Sequence, residues 1–214
     1  MREWGRFLRN TPCFLLLVVQ LAGVVLYPFM VNGVVGRNVF ALFGIVVLLV
    51  TIRALRVTPW FTWVSSLVFV PATLLLLLAT VTTAGLLPWA AGFECVLYAY
   101  AGLAMLAYML TDDDVTTDEL FAIPTVFTLF AWSFAYLFVV VQALDPGAFG
   151  PGERDWMELL YLSFTTLSST GLSDIGPVTG HARSVIMLEQ LTGIFYIAMV
   201  VTRLVSLRSR RRTV

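Results

Sequence analysis

Charged residues are scarce in this chain, and histidine, cysteine and lysine are nearly or completely missing. Of its 214 residues, 12% are charged and 59% are hydrophobic, and the mean hydropathy is +0.91. A soluble domain of this size cannot bury so much apolar surface, so we expect a bilayer to surround most of the chain. The 13 acidic and 13 basic residues cancel, which argues against a nucleic-acid partner. All 13 basic residues are arginine, which indicates a GC-rich prokaryotic genome.

The shortage of reactive side chains argues against an enzyme. The sequence has one histidine, no Cys–His pair and no Gly-x-Ser-x-Gly turn. Cys13 and Cys95 lie in apolar segments, where cysteine is typical of a small buried side chain rather than of a disulfide or metal framework. A secondary transporter would repeat its broken helices, and residues 1–110 and 111–207 show no repeat. We therefore expect no catalysis, no cofactor and no soluble substrate.

Long apolar runs occupy most of the sequence. Six of them are long enough to cross a bilayer as helices, which takes ~20 residues each. Their approximate bounds are Thr11–Met30, Val34–Ile52, Trp60–Thr80, Leu86–Leu110, Leu120–Leu144 and His181–Leu207. The predicted fold is an all-α membrane protein with six transmembrane helices.

The arginines predict the orientation of these helices. Nine of them fall on the side that holds the N-terminus: Arg2, Arg6, Arg9, Arg53, Arg56, Arg208, Arg210, Arg211 and Arg212. Three fall on the other side: Arg37, Arg154 and Arg183. Because arginine-rich loops stay in the cytoplasm, we expect a multi-pass plasma-membrane protein with both termini inside and residues 145–180 outside.

The fourth predicted helix has no arginine, and its only charged residue is Glu94. A voltage sensor needs several charges within the membrane field, because one charge is worth ~2.3 kcal/mol per 100 mV. We therefore expect the first four helices to lack voltage sensing. Glu94 either pairs with Arg37 or forms a hydrogen bond within the bundle.

Residues 158–177 are too polar to cross a bilayer and too apolar for an ordinary external loop. We predict a short helix at Trp156–Ser168, started by a capping pair of Asp155 and Glu158. A strand rich in serine, threonine and glycine follows it, and then an aspartate. Such a re-entrant backbone is tolerated at membrane depth only where it lines a water-filled path.

The strand consists of Ser169, Thr170, Gly171, Leu172, Ser173 and Asp174. It resembles the selectivity filter of pore-loop potassium channels, which reads Thr-Val-Gly-Tyr-Gly-Asp. The resemblance implies a homotetramer, embedded in membrane lipid, whose four re-entrant pore helices and filter loops form one pore for K⁺ or Na⁺ and bind no other metal. Gly171 matches the first filter glycine, whereas Ser173 replaces the second, where a left-handed side chain would cost ~1–2 kcal/mol. Leu172 replaces the tyrosine.

These departures predict a non-voltage-gated cation channel with weak selectivity for K⁺ over Na⁺. The alternative is a non-conducting or accessory membrane protein that keeps the pore fold. Asp174 would form an outer ring of carboxylates that concentrates cations at the mouth.

The last helix carries further candidates for the pore. Gly193 is either a hinge or a small residue that lets helices pack closely. Glu189 lies four residues earlier on the same face, where it either lines the cavity below the filter or, as we favour, bonds behind the pore helix to Thr165 or Thr166. The resemblance also places a hinge or lower gate on the face of Gly193, Tyr196, Val200 and Arg203.

These features divide the chain into four parts. Residues 1–111 form the four-helix region, 112–119 an acidic cytoplasmic linker, 120–207 the pore domain and 208–214 a basic cytoplasmic tail. The linker is either a solvated connection, with Thr116 and Glu119 capping the fifth helix, or a docking site for a divalent cation or the tail. His181 is expected at the surface, with an external pH sensor as the alternative.

Overall fold

The computed structural model describes residues 11–30, 47, 87–111 and 117–210. Five helices are defined there: α1 (Pro12–Met30), α2 (Leu87–Thr111), α3 (Thr117–Leu144), α4 (Trp156–Leu167) and α5 (Gly180–Arg210). The spans predicted at 34–52 and 60–80 lie outside the described residues, apart from residue 47, which is helical and buried. Most of the acidic linker, with the proposed Thr116 cap, and the end of the basic tail also lie outside them.

Four of the described helices, α1, α2, α3 and α5, are long and apolar enough to cross a membrane. They correspond to the first, fourth, fifth and last predicted spans. The described residues contain no β-strand, so the segment predicted as a strand at Ser169–Asp174 is an irregular loop. The absence of a sheet in this part of the chain agrees with an all-α membrane protein. The remaining helix, α4, has 12 residues and is too short to span a membrane.

The helix α3 lies at the centre and contacts each of the other four. Its middle is packed on every side, since Leu129, Ala131 and Trp132 are all at most 1% exposed. Gly102 of α2 permits the closest contact with it, because an added Cβ would lie 2.8 Å from the ring of Phe130. The aromatic and alanine-rich composition of α3 thus provides the core around which the other helices assemble.

Polar contacts fix the direction of α1 along α3. The Cys13 N–H, which has no partner within the first turn of α1, donates to Asp118 at the start of α3 over 3.1 Å. Further along, the Thr128 hydroxyl donates to the Gln20 side chain over 2.7 Å. The two helices therefore run parallel. The α2 helix runs the opposite way, because Ser133 of α3 bonds Cys95 near the start of α2, whereas Met109 near its end lies beside Glu119.

A compact turn joins α3 to α4 and fixes where α4 begins. The side chain of Gln142 donates to the carbonyl of Arg154 over 3.0 Å and accepts from its N–H over 2.9 Å. Ala148 and Phe149 of the turn are buried with Phe138 of α3 and Leu159 of α4. This double hydrogen bond and apolar cluster hold α4 at a set position against the C-terminal end of α3.

Candidate functional site: the loop at the end of the pore helix

The start of α4 has the predicted capping box. The Asp155 side chain accepts from the N–H of Glu158 over 2.8 Å, and the Glu158 side chain accepts from the N–H of Asp155 over 2.8 Å. Two N–H groups that the helix itself leaves unbonded are thereby satisfied. Arg154 lies 3.6 Å from Glu158 and adds an exposed ion pair. The prediction of a short helix starting at Trp156 is confirmed.

The end of α4 is a Schellman motif, and it turns the chain into the loop. The N–H of Ser169 donates to the carbonyl of Thr166 over 2.9 Å, and the N–H of Thr170 donates to that of Thr165 over 3.0 Å. This pair of bonds requires a left-handed residue just after the C-cap. Ser169 occupies that position with φ 59°. A serine thus adopts a conformation that usually belongs to glycine, at a cost of ~1–2 kcal/mol.

The predicted left-handed backbone is correct at Gly171, which has φ 63°, but wrong at Ser173. Among the described residues, positive φ in the loop falls at Ser169 and Gly171. The alternation is therefore shifted by two residues toward α4. The reason is that closing the helix with the Schellman bonds fixes the conformation at Ser169, whereas Ser173 lies beyond the reach of those bonds.

The carbonyl of Thr165 anchors the loop to α4. It accepts from the N–H groups of Thr170 and Gly171 over 3.0 and 3.1 Å, and the Thr170 hydroxyl lies 3.3 Å away. The Ser168 hydroxyl adds bonds to Phe164 and to the Thr170 hydroxyl, over 2.7 and 3.0 Å. The N–H groups of the first half of the loop are thus turned toward α4.

The carbonyl side of the loop is left open. Of the six carbonyls from Ser169 to Asp174, that of Leu172 alone accepts a hydrogen bond from the described residues, donated by the Tyr161 hydroxyl over 3.3 Å. Every loop residue from Ser169 to Asp174 is exposed except Ser173, which is half-buried. Backbone carbonyls that are exposed and unbonded are the groups that can replace the hydration shell of a cation.

The far end of the loop is fixed by its return to the core. The Ser173 hydroxyl accepts from the N–H of Ile175 over 3.2 Å, and Ile175 is buried beside Leu159 and Ile186. The N–H of Val178 then donates to Ala148 over 2.8 Å. The loop is therefore held at both ends, with its exposed middle between them.

Behind α4, Glu189 of α5 is fully buried and forms a short hydrogen bond with Ser163. This confirms the favoured buried, hydrogen-bonded role of Glu189. The predicted partners Thr165 and Thr166 are wrong: the Thr165 hydroxyl instead bonds the carbonyl of Leu162 over 2.9 Å. The rotation of α4 turns Ser163 toward α5, and the spacing of polar residues in the sequence does not show that rotation.

Gly193 packs against the end of α4. An added Cβ would lie 2.0 Å from the carbonyl oxygen of Leu167 and 2.9 Å from its carbonyl carbon. Backbone atoms cannot move aside as a flexible side chain can. The close-packing interpretation of Gly193 is therefore the one that this contact supports, and a hinge at this position stays a prediction.

The other residues assigned to a gate lie on the face of α5 that packs against α3. Tyr196 is 5% exposed, and its hydroxyl donates to the carbonyl of Ile123 over 2.5 Å. Arg203 lies 3.5 Å from Glu119 in a mostly buried ion pair. Val200 packs against the same core. Their role in gating stays a prediction. Because these side chains contact α3, a gate on this face would act through the packing of α5 against α3.

Two further polar residues lie away from the loop. His181 is on the surface, as expected, with its Nδ1 3.3 Å from Asp145. The pKa of Asp145 is lowered by a hydrogen bond from Thr179 and, to a smaller extent, by His181.

Glu94 is 1% exposed, and neither carboxyl oxygen has a hydrogen-bond partner within the described part of the chain. The hydrogen bond predicted for it within the bundle is therefore not found there, and the alternative partner Arg37 lies outside that part.

Three residues of the site escaped the sequence analysis: Tyr161, Ser163 and Ser168. Each carries a hydroxyl in an otherwise apolar helix or at its end, and that was the available signal. All three hydroxyls donate a hydrogen bond to a backbone carbonyl, and the sequence alone does not show which carbonyl a hydroxyl will contact.

Comparison with known families gives one match. Residues 122–209 match a family model described as ion channel. The match covers less than half of the chain and runs from α3 through α4 and the loop to α5. It supports an ion channel, and with the apolar helices it indicates a multi-pass membrane protein. Neither the curated proteins nor the solved structures give a match.

Proposed function

We propose that this chain is one subunit of a homotetrameric, non-voltage-gated cation channel in which the loop from Ser169 to Asp174 lines the ion path. The observation that carries the proposal is the loop's asymmetry. The N–H groups of Ser169, Thr170 and Gly171 bond the end of α4, while the loop carbonyls, except that of Leu172, accept no hydrogen bond in the described structure. The ion channel match over the same region supports it.

The charges around the loop favour a cation. The C-terminal end of a helix carries roughly half a negative charge, and α4 ends at the loop. Asp174 is exposed at the other end of the loop. The sequence has no arginine or lysine between residues 155 and 182. Four such loops around one axis would exclude anions.

The tetramer is supported by the free face of α5. This face is apolar and exposed, with Leu191, Ile194 and Phe195 each more than half exposed. A single loop cannot surround an ion, whereas four copies placed around an axis can. Leu172 is 72% exposed in the single chain and would contact a neighbouring copy in such a tetramer.

Weak selectivity follows from the sequence of the loop. Leu172 supplies no hydroxyl to hold the loop from the side, and the nearest support, Tyr161, bonds the Leu172 carbonyl itself. The path would then be wider and wetter than a rigid potassium cage, and it would pass both K⁺ and Na⁺.

The orientation proposed from the arginines is compatible with the helix directions. α1 and α3 begin at the end of the bundle where α2 and α5 finish, because Cys13 meets Asp118 there and Arg203 meets Glu119. If that end is cytoplasmic, both termini lie inside and the turn from α3 to α4 lies outside. We propose the plasma membrane on the same grounds.

The test is ion flux through the purified protein in liposomes under opposed K⁺, Na⁺ and Cl⁻ gradients. We expect K⁺ and Na⁺ to pass at comparable rates and the reversal potential to follow the cations. A reversal potential near that of Cl⁻ would contradict the charge argument.

A non-conducting or accessory subunit is the second candidate. The tight turn at Ser168–Ser169 and the bond between Tyr161 and Leu172 favour it, because both draw part of the loop back toward α4. A folded tetramer that passes neither cation would favour this candidate.

A further inference from the structure

Three helices meet at the hydroxyl of Ser163. Its oxygen lies 2.8 Å from the carbonyl oxygen of Ala131 in α3, and it also forms a short hydrogen bond with Oε1 of Glu189 in α5. Ser163, Ala131 and Glu189 are each 0% exposed. The contact therefore joins α3, α4 and α5 in a site that water does not reach.

The number of hydrogens decides which group donates. A serine hydroxyl has one hydrogen, and a carbonyl and an ionised carboxylate can only accept. If Glu189 were ionised, one of the two close contacts would bring two oxygens together without a hydrogen between them. If Glu189 carries a proton, it donates to Ser163, and Ser163 donates to Ala131, so each contact has its hydrogen.

The surroundings of Glu189 offer no counter-charge in the described structure. Its Oε2 atom has no hydrogen-bond partner there. Besides Glu189, the ionisable side chains that the structure describes on the packed helices are Asp118, Glu119 and Tyr136 on α3, Glu158 and Tyr161 on α4, and, up to residue 205 of α5, His181, Arg183, Tyr196 and Arg203. No hydrogen bond or ion pair given by the structure joins any of them to Glu189. A buried carboxylate without a cation is strongly disfavoured.

We propose that Glu189 is a neutral carboxylic acid whose proton donates to Ser163, and that the relay from Glu189 through Ser163 to Ala131 positions the pore helix. The inference rests on the proposed function only where ion flux is measured. Ser163 and Leu167 lie four positions apart on α4, and they face Glu189 and Gly193, which lie four positions apart on α5. The relay and the glycine contact together fix α4 on α5, and α4 carries the loop.

Infrared spectroscopy of the purified protein tests the proton directly. At neutral pH the wild-type protein should show a carboxylic-acid C=O band that shifts in D₂O and is lost in Glu189→Gln. Glu94→Gln is the matched control, because it removes another buried carboxyl group and leaves Ser163 untouched. A Glu189 band that grows in only on acidification would overturn the proposal.

Ion flux tests the positioning role. Glutamine keeps the shape and a donor, so Glu189→Gln should keep flux within about twofold of the wild type. Ser163→Ala leaves the acid without an acceptor and should lower flux about tenfold, the equivalent of ~1.4 kcal/mol. Equal loss in Glu189→Gln and Ser163→Ala would contradict the relay. Absence of flux in the wild type would count against the channel alone, because the infrared band still decides the state of Glu189.

Discussion

The two longest helices described, α3 and α5, differ sharply in how far the rest of the chain covers them. In α3, 56% of the residues in the apolar span are buried, whereas in α5 the share is 22%. Both are apolar enough to cross a membrane. Sequence composition therefore does not distinguish a central helix from a peripheral one, and the contacts do.

The polar contacts of α5 lie on one face. Glu189 bonds Ser163, Tyr196 bonds the carbonyl of Ile123, and Arg203 pairs with Glu119. The opposite face carries exposed apolar side chains such as Ile194 and Phe195. One side of α5 is thus held by contacts within the chain, and the other is exposed. In the proposed tetramer, the exposed side would meet other copies or line the ion path.

The largest effect is expected from breaking the contact near the C-terminal end of α5. Arg203→Met would leave Glu119, which is 3% exposed, without this cation. Removing one partner of a buried pair costs about 3 kcal/mol, so the thermal unfolding temperature should fall clearly. The double variant Arg203→Met with Glu119→Gln should recover part of the loss. A single variant as stable as the wild type would show that α5 is not held there.

Close packing at Gly193 provides the next test. Gly193→Ala should destabilise the protein by about 1–3 kcal/mol and lower ion flux, because the new methyl group meets the backbone of Leu167. Gly180→Ala in the same helix is the control, since nothing lies within 4 Å of an added Cβ there. Similar thermal stability of the two variants would mean that α5 does not touch α4 at this point.

The third test sharpens the contrast by changing the loop alone. Ser173→Gly with Leu172→Tyr restores the potassium-channel residues and should raise the preference for K⁺ over Na⁺. The ratio is measured from the reversal potential with K⁺ on one side and Na⁺ on the other, and the two single variants serve as controls. An unchanged permeability ratio would show that the filter alignment is wrong.

The smallest effect is expected from Tyr161→Phe. It removes the hydroxyl that bonds the Leu172 carbonyl, worth about 1 kcal/mol at most, and frees one more loop carbonyl. We expect a small change in the permeability ratio with little change in stability. Tyr98→Phe is the control, because it removes a tyrosine hydroxyl from α2. Equal shifts in both variants would argue against support by Tyr161.

Local signals predicted the described elements well. The capping box at Asp155 and Glu158 spans four residues, so its hydrogen bonds were determined by spacing alone. Four predicted spans correspond to α1, α2, α3 and α5, because the length of an apolar run reflects the thickness of a bilayer.

Features that depend on how helices rotate against each other were harder to predict. A buried hydrogen bond was expected for Glu189 because an ionisable side chain within a membrane span needs a polar partner. The identity of that partner, Ser163, depends on the angle at which α4 meets α5. The left-handed residue at Ser169 depends on how α4 ends, and the resemblance to a filter pointed instead to Ser173. Tyr196 and Arg203 were assigned to a gate by helical spacing, which gives a shared face but not what that face touches.

The account depends most on the claim that the loop after α4 lines the cation path, and cysteine modification tests it most directly. Leu172→Cys is placed on the exposed loop, and Val178→Cys is an exposed control beyond it. Each variant is reconstituted, and a positively charged, membrane-impermeant thiol reagent is added while cation flux is measured. We predict that flux falls in Leu172→Cys and is unchanged in Val178→Cys and in the treated wild type. Unchanged flux in Leu172→Cys with its thiol fully modified would contradict the claim.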